Sequence, residues 1–270
     1  MTNSLAAITG ASAGIGSVFA RKLSAQGYDL LLIARRADRL DQLAAELKRA
    51  HQIHVEVCAA DLSVNEDMDR IAARIAAEPR LDLLVNNAGF GVKGRFYEVP
   101  LEDQLKMHRL HIGAILRLTH AVLGPMAKRG RGAIVNVASV AGFTRSPGSV
   151  SYCATKAWVN AFTEGIYLDL KSAGSPVVVQ ALCPGFTYSE FHDVAGVDRA
   201  SIPKSFWMTA EDVVDASLAG LRRRKLFVVP GWRYKLVVAL VNRIPERLRL
   251  ALESAAPHNR ARLPERGNPH

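Results

Sequence analysis

Along the first 230 residues, short and almost wholly apolar runs alternate with stretches whose apolar residues recur every three or four positions. The run at 5–9 (LAAIT) stops at Gly10, and Ile15, Val18, Phe19 and Leu23 then return at helical spacing as far as Gly27. The pattern repeats: 29–33 (DLLLI) is followed by Leu40, Leu43, Ala44 and Leu47, and 53–58 by Met68, Ile71 and Ile75. The run at 81–85, halted by Asn86-Asn87-Ala88-Gly89, precedes a long helical stretch over about 101–128. The run at 133–138 (AIVNVA) leads to a helix over about 151–172. The run at 177–182 leads to an irregular segment at 183–208, a helix from about 210 and a last candidate strand at 226–229. Strands apolar on both faces must be covered on both, and parallel strands need crossover helices. The pattern therefore predicts an α/β chain with a single doubly wound parallel sheet (Rossmann-type) and helices on both faces. No internal repeat or Gly/Ser linker divides residues 1–230, which read as one domain.

The turn closing the first run reads Thr9-Gly10-Ala11-Ser12-Ala13-Gly14-Ile15-Gly16. Gly10, Gly14 and Gly16 let the backbone turn tightly and approach a ligand closely. The helix start that follows offers free N–H groups to a pyrophosphate, with Ser12, Ala13 and Ile15 lining the same turn. A dinucleotide site of this type reads the adenosine ribose at the end of the second strand, about twenty residues on. There the chain has Ala34-Arg35-Arg36: no carboxylate for a free 2′-hydroxyl, but two guanidiniums whose forked donors suit a 2′-phosphate. NADP(H) is expected in preference to NAD. Residues 10–14 also fit the G-x-S-x-G elbow of hydrolases. An elbow serine, however, needs an acid and a histidine in suitable places and follows several strands of a sheet already built, not the first.

Tyr152 and Lys156 stand four residues apart and share a helix face. An ammonium beside a phenol favours phenolate, so Lys156 is expected to draw the tyrosine down from its ordinary value of about 10. Such a tyrosine exchanges a proton with an alcohol or carbonyl oxygen near neutrality. Ser139 ends the fifth apolar run, where strand C-termini open into a ligand crevice, and its hydroxyl can polarise the same oxygen.

Taken together, TGASAGIG (9–16), Asp61-Leu62, NNAG (86–89), Ser139, YCATK (152–156) and CPG (183–185) resemble the short-chain dehydrogenase/reductase family, in its order and spacing across about 230 residues. The resemblance implies NAD(P)(H)-dependent hydride transfer between an alcohol and a carbonyl. It makes Tyr152 the acid/base, Lys156 the residue that shifts its pKa and binds ribose, and Ser139 the substrate orienter. Asp61 and Leu62 would flank adenine, Asn87, Ala88 and Gly89 would line the cofactor, and Pro184, Gly185 and Thr187 would hold its nicotinamide side. The chain departs from the family at His111, where an asparagine usually completes a catalytic tetrad, largely through a backbone carbonyl that helps to hold a lysine-linked water. A histidine keeps the carbonyl and adds a titratable group. It reads as a modified proton relay, a tolerated substitution, or a source of impaired catalysis. The alternative to an active oxidoreductase is a non-catalytic dinucleotide-binding scaffold of the same fold.

In the family, the segment after the Pro-Gly pair, here about 186–208, covers the substrate. Phe186, Phe191, Phe206, Trp207 and Met208 fall in it, and Phe90 and Phe143 follow strand ends. Such walls suit an apolar or acyl-chain carbonyl or alcohol, although some of these rings must pack the lid itself. No arginine stands out as dedicated to a substrate carboxylate, although Arg145 is well placed to meet one.

The net charge of +10 is unevenly distributed. Residues 222–270 hold 12 Lys and Arg against 3 Asp and Glu, leaving 23 and 22 in the first 221. The basic character therefore belongs to the tail. Within it, Trp232, Leu236, Val237, Leu240, Val241 and Ile244 form an apolar stripe among arginines, predicting a basic amphipathic helix over 231–256 that Pro245 kinks or ends. This tail is expected to dock on the body or a second subunit, or to lie peripherally on an anionic membrane. No nucleic-acid reader motif accompanies it, so nucleic acid is not expected as a partner. Residues 257–270 have a composition that predicts disorder. Three cysteines without CxxC or metal-ligand spacing fit a reducing, cytoplasmic setting, and no metal site is expected. A homo-oligomer is expected.

Overall fold

In the computed structural model, residues 3–191, 202–241 and 243–255 are described below. The parallel strands β1 (Leu5–Thr9), β2 (Asp29–Ala34), β3 (Val55–Ala59), β4 (Leu81–Asn86), β5 (Ala133–Val137), β6 (Val178–Leu182) and β7 (Phe227–Val228) form a single sheet in the order β3-β2-β1-β4-β5-β6-β7. Every residue of β1 and β2 is buried, as strands covered on both faces require. On one face lie α1 (Gly14–Ser24), α2 (Ala37–His51) and α7 (Ala210–Arg222), over a core containing Phe19, Leu23, Leu40 and Val213. On the other lie α3 (Asn65–Ala76), α5 (Ile115–Arg129) and α6 (Val150–Ser172), over Leu31, Ile71, Leu118 and Val179. The chain leaves β1 in one direction towards β2 and returns on the other side at β4. The sheet's switch point, where such folds open a ligand crevice, therefore lies between the C-terminal ends of β1 and β4.

Two elements differ from expectation. The long helical stretch is helical from Leu101 to Arg129, but α4 (Leu101–His108) passes into α5 through a π-helical turn at Arg109–Ala114. That wider turn carries His111 into the interior, where it is fully buried. The tail forms two helices, not one: α8 (Trp232–Val241) and α9 (Glu246–Ala255), with Pro245 immediately before the second. A proline lacks the N–H needed to continue α8 and suits a helix start. The apolar stripe expected along α8 faces outward among the described residues. The buried residue of α8 is Tyr234, whereas Trp232, Leu236 and Leu240 are exposed. The segment 257–270 and the middle of the expected lid, 192–201, lie outside the described residues.

Candidate active site

The ends of β1 and β4 are stitched together by side chains before any ligand is considered. Thr9 Oγ1 accepts from the backbone N–H groups of Asn87 and Ala88, both at 2.9 Å, and Asn87 Nδ2 donates to the Thr9 carbonyl at 2.9 Å. Beneath this seam Asn86 donates to Asn136 at 2.9 Å, and Asn136 to Thr163 at 3.0 Å, which fixes β4, β5 and α6 relative to one another. The glycine turn lies directly above. A Cβ on Gly16 would come within 2.3 Å of the Gly10 carbonyl, and one on Gly10 within 2.9 Å of Ala88 Cα. Gly10 also has φ +66°, a left-handed conformation that favours glycine. The turn thus remains a bare backbone cradle leading into α1, whose first residues follow an extended Ala13. These features fit the pyrophosphate of a dinucleotide, held by N–H groups at a helix start. The Ile15 side chain is half-buried against the core.

The two arginines after β2 do not act together. Arg36 donates to Ser12 Oγ in the glycine turn at 3.2 Å, whereas Arg35 lies 4.0 Å from the Asp61 carboxylate. Lys106 sits 3.7 Å from the same carboxylate. Burial pushes the Asp61 pKa up, but the Ser63 hydrogen bonds and the two cations outweigh this and hold it below the ordinary range. Leu62 is buried in the core with Met68 and Ile71, whereas Asp61 is partly exposed. Sequence reasoning missed Arg39 and Glu190 here. Glu190 pairs with Arg36 at 2.8 Å and with Arg39. Arg39's place three residues beyond Arg36 was readable, but Glu190, 154 residues away from Arg36, gave no local signal.

Ser139, Tyr152 and Lys156 meet at the C-terminal end of β5. Ser139 caps a short helical turn by accepting from Ala141 N–H at 3.1 Å, and its hydroxyl lies 3.4 Å from the Pro184 carbonyl, the first residue of the Pro-Gly turn. Lys156 is buried, 5.8 Å from the Tyr152 ring centre, and donates to the Val137 carbonyl at 2.8 Å. The expectation that Lys156 lowers the tyrosine pKa is corrected. Burial pushes Tyr152 up to about 12, against a hydrogen bond with Ser139 that pulls it down. Burial also pushes Lys156 down to about 8. Desolvation disfavours both charged forms and dominates here.

His111 joins the site through hydrogen bonds. Its Nε2 accepts from Phe90 N–H at 3.2 Å and its Nδ1 lies 3.0 Å from Thr155 Oγ1, which donates to the Tyr152 carbonyl at 2.9 Å. A Cβ on Gly89 would come within 2.8 Å of His111 Nε2. The Tyr152 ring stands between His111, at 5.9 Å, and Phe191, at 5.8 Å. Thr155 was also missed, because its role appears only once α6 meets the π turn.

The aromatic residues of the expected substrate wall divide. Phe90 and Phe191 flank His111 and Tyr152. Phe143 packs on Phe227, and Phe186 and Trp207 pack on each other at the neck of the lid. There Thr187 bridges to Met208 in parallel, and Thr187 Oγ1 donates to the Gly185 carbonyl at 3.1 Å. Phe206 leans on Tyr234. Arg145 is exposed; its backbone N–H donates to Glu253 at 2.8 Å and its guanidinium to the neighbouring Thr144 carbonyl at 3.0 Å.

A sheet switch point with a glycine cradle, beside a buried serine, tyrosine and lysine at a strand end, defines a nicotinamide-dinucleotide oxidoreductase acting on a carbonyl or alcohol. A family model described as short chain dehydrogenase matches residues 4–199, and the chain belongs to that family. It is 33% identical over 243 residues to a very-long-chain 3-oxoacyl-CoA reductase of Anas platyrhynchos, covering 86% of this chain and 75% of the relative. Among solved structures, a short-chain dehydrogenase from Sphingobium yanoikuyae in complex with NADPH superposes with a TM-score of 0.82 at 34% identity, covering 96% of this chain and 98% of that one. A bulky-bulky ketone specific alcohol dehydrogenase from Comamonas testosteroni gives 0.79 at 30% identity, covering 97% and 98%.

Proposed function

We propose that this oxidoreductase uses NADP(H) and interconverts an apolar or acyl-chain ketone with its secondary alcohol. The observation carrying this reading is the convergence of Ser139, Tyr152 and Lys156 at one strand end, with the rings of Phe90 and Phe191 beside them. The cofactor, when bound along the glycine cradle and the Asn87-Ala88-Gly89 and Pro184-Gly185 turns, supplies or accepts hydride. Tyr152 donates the proton to the carbonyl oxygen, and a phenol raised to about 12 is fully protonated for that task at neutral pH. The Ser139 hydroxyl orients the same oxygen. Lys156 returns a proton to the phenolate side of the pair, and a value near 8 keeps it charged at pH 7 while leaving that proton easily given. His111 holds Phe90 and Thr155 in place. Ala34 in place of a carboxylate, and Arg36 set against Ser12, support NADP(H) over NAD(H).

Tyr152→Phe tests the assignment. It should keep equilibrium NADPH binding while losing about 10²–10⁴-fold of turnover on apolar ketones, the usual share of a positioned general acid. A fully active variant would remove Tyr152 as proton donor. We further read the protein as cytoplasmic, in keeping with its free cysteines Cys58, Cys153 and Cys183. A homo-oligomer is supported by the exposed leucines Leu105, Leu116 and Leu168 on α4, α5 and α6. Peripheral membrane contact is supported by the basic tail.

A further inference from the structure

Three consecutive residues at the start of the lid touch three parts of the crevice. Ser189 Cβ lies 3.1 Å from where a side chain at Gly14 would begin, and the Phe191 ring lies 5.8 Å from that of Tyr152. Between them, Glu190 reaches across to the start of α2 and pairs with Arg36 at 2.8 Å and with Arg39. Arg36 at the same time donates to Ser12 in the glycine turn at 3.2 Å. Ser12, Arg36 and Arg39 therefore form one donor cluster beside the cofactor cradle, with a carboxylate seated in it. Beside the cluster opens a recess of about 210 Å³ lined by Ser12, Arg21, Arg39, Gln42 and Glu46.

Carboxylate and phosphate oxygens are interchangeable partners for forked guanidinium donors. The side chains of Arg36, Arg39 and Glu190 are 42%, 42% and 46% exposed, so water reaches the pair and the carboxylate can be exchanged. We propose that Glu190 is a built-in occupant of the 2′-phosphate pocket, that Arg39 is a second cationic wall of that pocket, and that Glu190 thereby sets the protein's discrimination between NADP(H) and NAD(H). This rests on the NADP(H) reading above. A ligand bearing a 2′-phosphate must displace the carboxylate, whereas one with a free 2′-hydroxyl places no charge there and has nothing to displace. Glu190 therefore weakens binding of the phosphorylated cofactor selectively. Because exposed ion pairs are individually weak, the effect is modest.

The test is calorimetric titration of the full-length protein at low ionic strength with 2′,5′-ADP and with ADP, which lacks the 2′-phosphate. Glu190→Gln should raise affinity for 2′,5′-ADP about two- to fivefold, the range of an exposed ion-pair network, and leave ADP unchanged. Added salt should shrink the gain, because exposed charges are screened. In the Glu190→Gln background, Arg39→Leu should lower affinity for 2′,5′-ADP and not for ADP. Both positions are at the surface, and unchanged melting midpoints would confirm intact folding. If wild type prefers 2′,5′-ADP but Glu190→Gln changes neither ligand, or both equally, the occupant role is overturned while the NADP(H) reading stands. If wild type binds the two ligands equally, the NADP(H) reading fails and the proposal falls with it.

Discussion

His111 stands where the family usually has asparagine, and both its ring nitrogens are engaged. Nε2 accepts from Phe90 N–H, so the ring proton lies on Nδ1 and faces Thr155 Oγ1. Burial drives the imidazole pKa well below its ordinary 6.5, and the Lys156 charge adds to this. We propose that this neutral ring, locked at both ends, acts as a strut between the β4 turn and α6 and not as a proton relay. The sign of the linkage follows. Below about pH 6.5 the unfolded chain takes up a proton at His111 that the folded chain refuses, so stability falls with acid by at most about 1.4 kcal/mol per pH unit. Wild type should therefore lose melting midpoint between pH 7 and 5 more steeply than His111→Asn. The profile of kcat/KM for ketone reduction should show no limb near 6.5 in either protein, and should fall on the alkaline side as Lys156 loses its proton near 8. An acid limb that disappears in His111→Asn would restore the relay. The departure at 111 was plain in the sequence. Its meaning was not, because Phe90 and Thr155 lie 21 and 44 residues away.

Among the elements, the strands were legible because burial on both faces leaves little but apolar residues in β1 and β2. The π turn was not, since its sequence, RLHIGA, carries no proline and its one glycine, Gly113, does not distinguish a π turn from an α-helix. The apolar stripe of the tail helix was legible, but Tyr234, the residue that docks, is not part of that stripe and gave no signal of its own. Tyr234 lies against Gly185 so closely that a Cβ there would fall within 2.0 Å of the ring. Its hydroxyl accepts from Phe186 N–H at 2.9 Å and donates to the Phe206 carbonyl at 2.6 Å. One side chain of α8 thus ties together the two ends of the lid beside the Pro-Gly turn. Tyr234→Phe leaves the Phe186 N–H without this partner and should cost about 1–2 kcal/mol in denaturant unfolding. The KM for the ketone should rise with it, because the lid neck is loosened. Gly185→Ala should cost more, since the ring must move. If Tyr234→Phe matched wild type in both stability and KM, α8 would not be a part of the site.

At the scale of the whole molecule, a nearly neutral body carries a tail of 12 basic and 3 acidic residues. Docking through Tyr234 fixes how that tail is presented. Trp232, Leu236 and Leu240, four residues apart, form one stripe on the opposite side of α8, with exposures of 67%, 62% and 57%. Arg233 lies 5.0 Å from the Trp232 ring, while Lys235, Arg243 and Arg247 follow along the same tail. An apolar stripe bracketed by cations suits the headgroup boundary of an anionic bilayer. Two such tails facing each other would repel, whereas the uncharged leucines on α4, α5 and α6 meet no such obstacle to subunit contact. Removing everything after Pro230 would also remove Tyr234, so the cleaner test is Trp232→Ser, Leu236→Ser and Leu240→Ser combined. Wild type should sediment with phosphatidylglycerol vesicles at low salt and not with phosphatidylcholine vesicles. The triple variant should stay in solution with both while keeping the wild-type mass by light scattering and the wild-type turnover. If instead wild type ignores anionic vesicles and the triple variant dissociates to a smaller species, the stripe is a subunit interface, and its cations must then be matched by acidic groups on the facing subunit.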